Sequence, residues 1–171
     1  LSLRRQRQMC IRDSFIRSFL EHQEDKGIHG LIEGRKEEVF SAFLAPRIQA
    51  FRQAVQEGNM GSAVLTAEQM AGCGPGLTPS SDDFLCGYVA SWPDDKPWKC
   101  FLKEITNAAA LKTNDISGSL LKHAGENMFS EDILQLLKGF ESCDPALIRT
   151  ALKRVSSFGS SSGCDFLTGM D

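Results

Sequence analysis

The sequence predicts an all-α fold. Apolar residues recur at three- and four-residue spacing along most of the chain. Alternating strand patterns are nearly absent. Glycine, proline and short polar clusters fall where helices should begin and end. The connections this leaves are roughly two to eight residues long, as in helical bundles.

Each element follows from its residues. Phe15, Ile16, Phe19 and Leu20 share one helical face, and Lys26 to Gly34 is glycine-rich and reads as a loop. Leu44, Ile48, Phe51 and Val55 make the next face, with Pro46 near its start or at a kink and Gly58 after its end. Met60, Val64, Ala67 and Ala71 lead into a glycine-rich loop. After it, Phe84, Leu85, Tyr88 and Val89 form a face that Pro93 ends. Pro97 suits a first helical position, with Trp98, Phe101, Leu102 and Ile105 turned inward. Ile116, Leu120, Leu121 and Ala124 form a short helix closed by Gly125. Ser130 caps a helix carrying Ile133, Leu134, Leu137 and Phe140. Asp144-Pro145 opens another, with Leu147, Ile148, Ala151, Leu152 and Val155 as its core face.

A chain of 171 residues, 42% apolar, can form one packed domain. Residues 15–171 are read as a single mainly helical domain, truncated at both ends. Residues 1–14 are set apart as a non-native or disordered segment. They carry Arg4, Arg5, Arg7 and Arg12 without an apolar period and resemble translated adaptor sequence; a genuine basic tail is the alternative. The net charge of -3 and the lack of a basic face argue against nucleic acid. No apolar run is long enough to span a bilayer, and no secretory signal stands out. The six cysteines form no Cys-x-x-Cys pair and no zinc spacing, so reduced thiols and a cytoplasmic setting are expected. Cys73 and Cys164 read as small residues filling tight space, and His123 as a helix residue. Walker and nucleophile-elbow motifs are absent.

The chemistry concentrates in Gly72-Cys73-Gly74-Pro75-Gly76-Leu77-Thr78-Pro79-Ser80-Ser81-Asp82-Asp83-Phe84-Leu85-Cys86-Gly87. Gly74 and Gly76 let backbone approach a ligand, and the loop delivers it to a helix start, where free N–H groups favour anions. Thr78, Ser80 and Ser81 offer hydroxyls, with local turn bonding or an N-cap as the plainer reading. Asp82 and Asp83 suit the helix dipole, but two carboxylates exceed what capping needs. They point about 100° apart, so one can meet a ligand or Mg²⁺ while the other holds the loop. Ser160-Ser161-Ser162-Gly163-Cys164-Asp165-Phe166-Leu167-Thr168-Gly169 echoes this stretch. Ser161, Ser162 and Gly163 make an anion nest, and Asp165 stands where Asp83 does. A third cluster, Thr113-Asn114-Asp115-Ile116-Ser117, begins a helix, so capping explains much of it. The two Asp-Phe-Leu-x-Gly segments are expected to converge in space.

Gly72 to Gly87 resembles the signature of the AllH-type family, which includes a subunit of oxamate carbamoyltransferase. The Thr113 to Ser117 and Gly159 to Asp165 patterns fit in the same order, and the resemblance runs from about Gly27 to Asp171. Two positions depart from the family pattern: Ser81 stands where glycine is usual, and Ser160 where histidine or alanine is frequent. Family members are also longer at the N-terminus. The resemblance implies a transferase subunit of purine-nitrogen catabolism. It would act with partner subunits on small anionic substrates, oxamate or oxalurate and carbamoyl phosphate. Asp82, Asp83 and Asp165 are then the catalytic candidates. Gly74, Gly76, Thr78, Ser80, Ser81, Thr113, Ser117, Ser161, Ser162 and Gly163 are the substrate-binding ones. No cofactor is demanded; Mg²⁺ on Asp82 and Asp83 is the one considered. The rival reading is a non-catalytic assembly or regulatory subunit that binds phosphate or nucleotide.

Overall fold

Apolar periods and polar stops organise residues 3–23, 27–32, 41–92 and 96–171, those described by the computed structural model, into helices without a strand among them. In chain order they are α1 (Leu3–Leu20), α2 (His29–Ile32), α3 (Ser41–Gln56), α4 (Met60–Met70) and α5 (Ser80–Ala90). They continue as α6 (Lys96–Ala110), α7 (Asp115–Gly125), α8 (Glu131–Ser142), α9 (Pro145–Ser156) and α10 (Ser162–Met170). The all-α class is thus observed. None of the helices is long and apolar enough to cross a membrane, among the described residues.

The centre of the fold is α5 packed along α10. Every residue of α10 from Gly163 to Met170 is buried, and α5 buries Phe84, Leu85, Cys86, Val89 and Ala90. Further helices cover this pair. α7 lies against α5, α9 and α1 against α10, while α3 pairs with α4, α6 with α7 and α8 with α9. Phe51, Phe84 and Phe101 are the largest wholly buried side chains. Burying a side chain of this kind stabilises the fold by roughly 1.5–3 kcal/mol.

Several helix ends form as their residues predict. Asp144 Oδ1 accepts from the N–H groups of Ala146 and Leu147, and Pro145 takes the first helical position of α9. Asn59 caps α4 through Ser62 N, and Asn114 caps α7 through the N–H groups of Ile116 and Ser117. Gly58, after α3, has φ +69°.

Other expectations are corrected. The buried face of α7 is Ser117, Gly118, Leu121 and Ala124, whereas Ile116 and Leu120 are exposed. Gly125 is the last residue of α7, as expected, but a Cβ there would overlap the Thr106 hydroxyl, and the left-handed turn falls on Asn127 at φ 60°. The face of α4 is Ala63, Ala67 and Met70, and Met60 is exposed. Leu136 replaces Leu134 in the core of α8, and Ser130 holds the expected N-cap position but makes no side-chain cap bond. Pro46 lies within α3, which begins five residues earlier at Ser41. The expected loop at Lys26 to Gly34 contains α2; Lys26, Glu33 and Gly34 lie outside the described residues, as does Pro93. Residues 3–14, expected to stand apart, form the first turns of α1. Met9 and Cys10 are exposed there, but Arg12 Nη1 donates to the Ser91 carbonyl at 2.7 Å.

Candidate functional site

The glycine-rich loop is a folded object. Gly72, Gly74 and Gly76 have φ of +76°, +133° and +92°, a region that glycine enters freely. A Cβ on Gly74 would overlap Ser80 N, so this glycine also clears the entrance of α5. Gly76 has open space around it, and Leu77 beside it is exposed. The loop is tied to α5 by Ser81, whose N–H donates to Cys73 O at 3.0 Å and whose Oγ accepts from Cys73 N at 3.0 Å. Pro79 occupies the N-cap of α5, without a side-chain cap bond. The capping role expected of Ser80 or Ser81 is therefore corrected. Both lie inside the first turn and are buried.

The two adjacent aspartates have different surroundings. Asp82 is 1% exposed and fully engaged. Its Oδ1 accepts from Gly72 N at 2.8 Å and Ser81 Oγ at 3.3 Å. Its Oδ2 accepts from Thr113 Oγ1 at 2.5 Å and Ser117 Oγ at 2.7 Å. Asn114 extends the same network, its Nδ2 donating to Leu77 O at 3.0 Å. Asp82, Thr113 and Ser117 thus lock the loop onto the start of α7.

Asp83 turns instead toward α10. Burial pushes its carboxyl up to about 7, aided by the charges of Asp165 and Asp82 and opposed by the hydroxyls of Ser162 and Thr78. Its Oδ2 is buried without a hydrogen-bond partner. Asp165 is 0% exposed. Burial raises its carboxyl above the ordinary range, against the Ile28 N–H and the hydroxyls of Ser80 and Ser161. Ile28 N donates to Asp165 Oδ1 at 2.7 Å, and Oδ2 is buried without a partner.

The two echoing segments do meet. Thr78 Oγ1 and Ser162 Oγ share a hydrogen bond at 2.8 Å. Asp83 is served by Ser162 of the other helix, and Asp165 by Ser80. Further along, Gly87 abuts the Phe166 carbonyl and Gly169 abuts the Phe84 carbonyl. These exchanges are reciprocal, so α5 and α10 run parallel with their N-termini together. The repeat is therefore longer than Asp-Phe-Leu-x-Gly. Ser80 and Ser162 each precede their aspartate by three positions, and Ser-x-x-Asp-Phe-Leu-x-Gly occurs twice. That extended spacing is readable in the sequence.

Among the other candidates, Ser161 is the N-cap of α10 by backbone geometry, without a side-chain cap bond. Gly163 packs on α9, where a Cβ would overlap the Val155 carbonyl. Ser160 is exposed. Of the two residues considered for Mg²⁺, Asp82 already accepts from four donors, two on each oxygen. Among the described residues, no three of His, Cys, Asp and Glu form a metal cage.

The arrangement can do two things. Two parallel N-termini side by side reinforce one positive potential, which favours an anion. A carboxyl near neutrality beside them can give and take a proton. No solved structure matches the chain. Residues 70–171, more than half of the chain, match the family described as oxamate carbamoyltransferase subunit AllH; the matched stretch starts later than Gly27, and it contains the loop, both aspartate segments and the start of α7. The chain belongs to that family.

Proposed function

We propose that this chain contributes the reacting centre of a carbamoyltransferase and that the paired entrances of α5 and α10 handle its small anionic substrate. The observation that carries the reading is Asp83. It stands where two helix N-termini converge, with a carboxyl raised to about 7 and one buried oxygen lacking a donor. Structural carboxylates are normally satisfied, as Asp82 is.

In the degradative direction, an oxygen of hydrogen phosphate attacks the carbamoyl carbon of oxalurate. The bond from that carbon to the amide nitrogen breaks, giving carbamoyl phosphate and oxamate. The proton lost by hydrogen phosphate ends on the oxamate nitrogen, so no net proton is consumed. Asp83 relays it, protonating the leaving nitrogen and recovering a proton from phosphate; a group near neutrality suits both halves. Helix dipoles and the hydroxyls of Thr78, Ser80, Ser161 and Ser162 support the anion and the negative charge that develops on the carbamoyl oxygen. Asp165 is wholly buried and held by the Ile28 N–H, and Asp82 shapes the loop, so neither is given the proton-transfer step. The chain acts with partner subunits, in keeping with its family's description as a subunit; its setting in this reading is the cytoplasm.

The test uses the enzyme assembled with its partners. Asp83→Asn should lower phosphate-dependent cleavage of oxalurate by about 100-fold or more, with assembly retained. Undiminished turnover would assign the chain to assembly or regulation instead.

A further inference from the structure

The geometry points to the Gly27–Ile28 peptide as a positioning element of this reacting centre, supplied from outside the matched stretch of residues 70–171. The inference rests on the reading of the α5–α10 entrance given above.

Ile28 N–H reaches across 137 positions of sequence to Asp165 Oδ1, at 2.7 Å. Both ends are enclosed, with Ile28 3% and Asp165 0% exposed. Gly27 makes this approach possible. Its φ is +77°, and a Cβ would overlap Asp165 Oδ1 and stand 2.9 Å from Cγ. Any side chain here would be strained by the backbone and blocked by the carboxylate. The peptide therefore lies flush on Asp165, and α2, which packs on α10, continues directly from it.

The contact distinguishes two oxygens that are otherwise equivalent. With Oδ1 held by an amide, the carboxylate cannot turn about its last side-chain bond without breaking that hydrogen bond. Oδ2 is left as the oxygen without a donor. The hydroxyls of Ser80 and Ser161 stand near enough to Asp165 to oppose the effect of burial on its carboxyl, which ties Asp165 to the entrance. Gly27 and Ile28 act through Asp165 and touch no substrate; they are positioning residues.

Two measurements decide this. In the assembled enzyme, Gly27→Ala should lower kcat by about tenfold to about 100-fold while KM for oxalurate stays within about twofold, the mark of misplaced groups rather than lost binding. Wild-type kcat, or a loss confined to KM, overturns the positioning role. Should Gly27→Ala fail to fold, the Ile28 amide proton decides in the full chain. Its NMR resonance should lie downfield in the wild type and in Asp165→Asn, which keeps an Oδ1 acceptor, and move upfield in Asp165→Ala. A resonance unchanged across the three overturns the contact. A wild-type assembly without carbamoyl transfer would overturn the functional reading instead, and the amide signature would stand or fall separately.

Discussion

Gly87 of α5 lies flush against the carbonyl of Phe166 on α10, at a separation that leaves no room for a Cβ. Gly169 makes the mirror contact with the Phe84 carbonyl. The two glycines hold the same place in the repeated Ser-x-x-Asp-Phe-Leu-x-Gly, so one backbone-to-backbone approach is made twice. That approach draws the helices together along their length and brings Ser80, Asp83, Ser162 and Asp165 to a common entrance.

The glycines should be among the least replaceable residues in the fold. Gly87→Ala and Gly169→Ala each press a methyl into backbone, which cannot swing aside as a side chain can. Each should cost about 3 kcal/mol in denaturant unfolding. Gly125→Ala meets the Thr106 hydroxyl and should cost less. Gly61→Ala, with nothing within 4 Å, should gain about 0.5 kcal/mol from helix propensity. Equal effects at all four positions would refute the close approach.

Asp82 should behave as a structural hub. Asp82→Asn turns one acceptor oxygen into a donor facing either Thr113 and Ser117 or Gly72 and Ser81. A buried donor set against donors costs about 1–3 kcal/mol or more. Thr113→Val and Ser117→Ala should each cost about 1 kcal/mol alone. Either should cost much less once Asp82 has been replaced, because the residues form one network. A double-mutant cycle with no coupling would show that the network does not hold the loop.

The helical class and most of the elements were legible because apolar period and cap residues are local signals. The convergence of the two aspartate segments was legible because Thr78, Ser80 and Ser162 share one chemistry. The division of labour between Asp82 and Asp83 was not. Adjacent in sequence, they differ in what the folded loop, α7 and α10 bring to them. Gly125 and Gly163 read as a helix stop and an anion nest, yet each clears a neighbouring helix, Gly125 at Thr106 and Gly163 at the Val155 carbonyl. The exposed Ile116 and Leu120 show the same limit, since the period of α7 gives an amphipathic face but its rotation is set by Ser117 reaching Asp82.

Arg12 tests whether the first turns of α1 belong to the fold. Its guanidinium donates to the Ser91 carbonyl at the C-terminal end of α5 and pairs with Asp13 at 3.0 Å. A basic group there also complements the helix dipole. Arg12→Ala should cost about 1 kcal/mol, a loss of a few degrees in Tm for a domain of this size. Substituting the exposed Met9 should change nothing measurable. If Arg12→Ala is equally silent, the segment before Ser14 is dispensable, as its composition suggested.

Asp83 should leave a signature in the pH dependence of stability. Its carboxyl is raised from 3.8 in the unfolded chain to about 7 in the fold, chiefly by burial, so the folded state holds this proton more tightly. The group's contribution is fully present below about pH 3.8. It is lost as pH rises through about 7, and it is constant above that. The loss is at most about 4 kcal/mol, at about 1.4 kcal/mol per pH unit. Asp165, also raised by burial, acts in the same sense. Asp83→Asn keeps the shape and removes the titration. The variant and the wild type should therefore be nearly equal in stability near pH 4, and the variant should be the more stable near pH 8. Urea midpoints at the two pH values measure the difference directly. A variant less stable than the wild type near pH 8 would mean that Asp83 is held as a satisfied carboxylate, and its role as a proton relay would go with it.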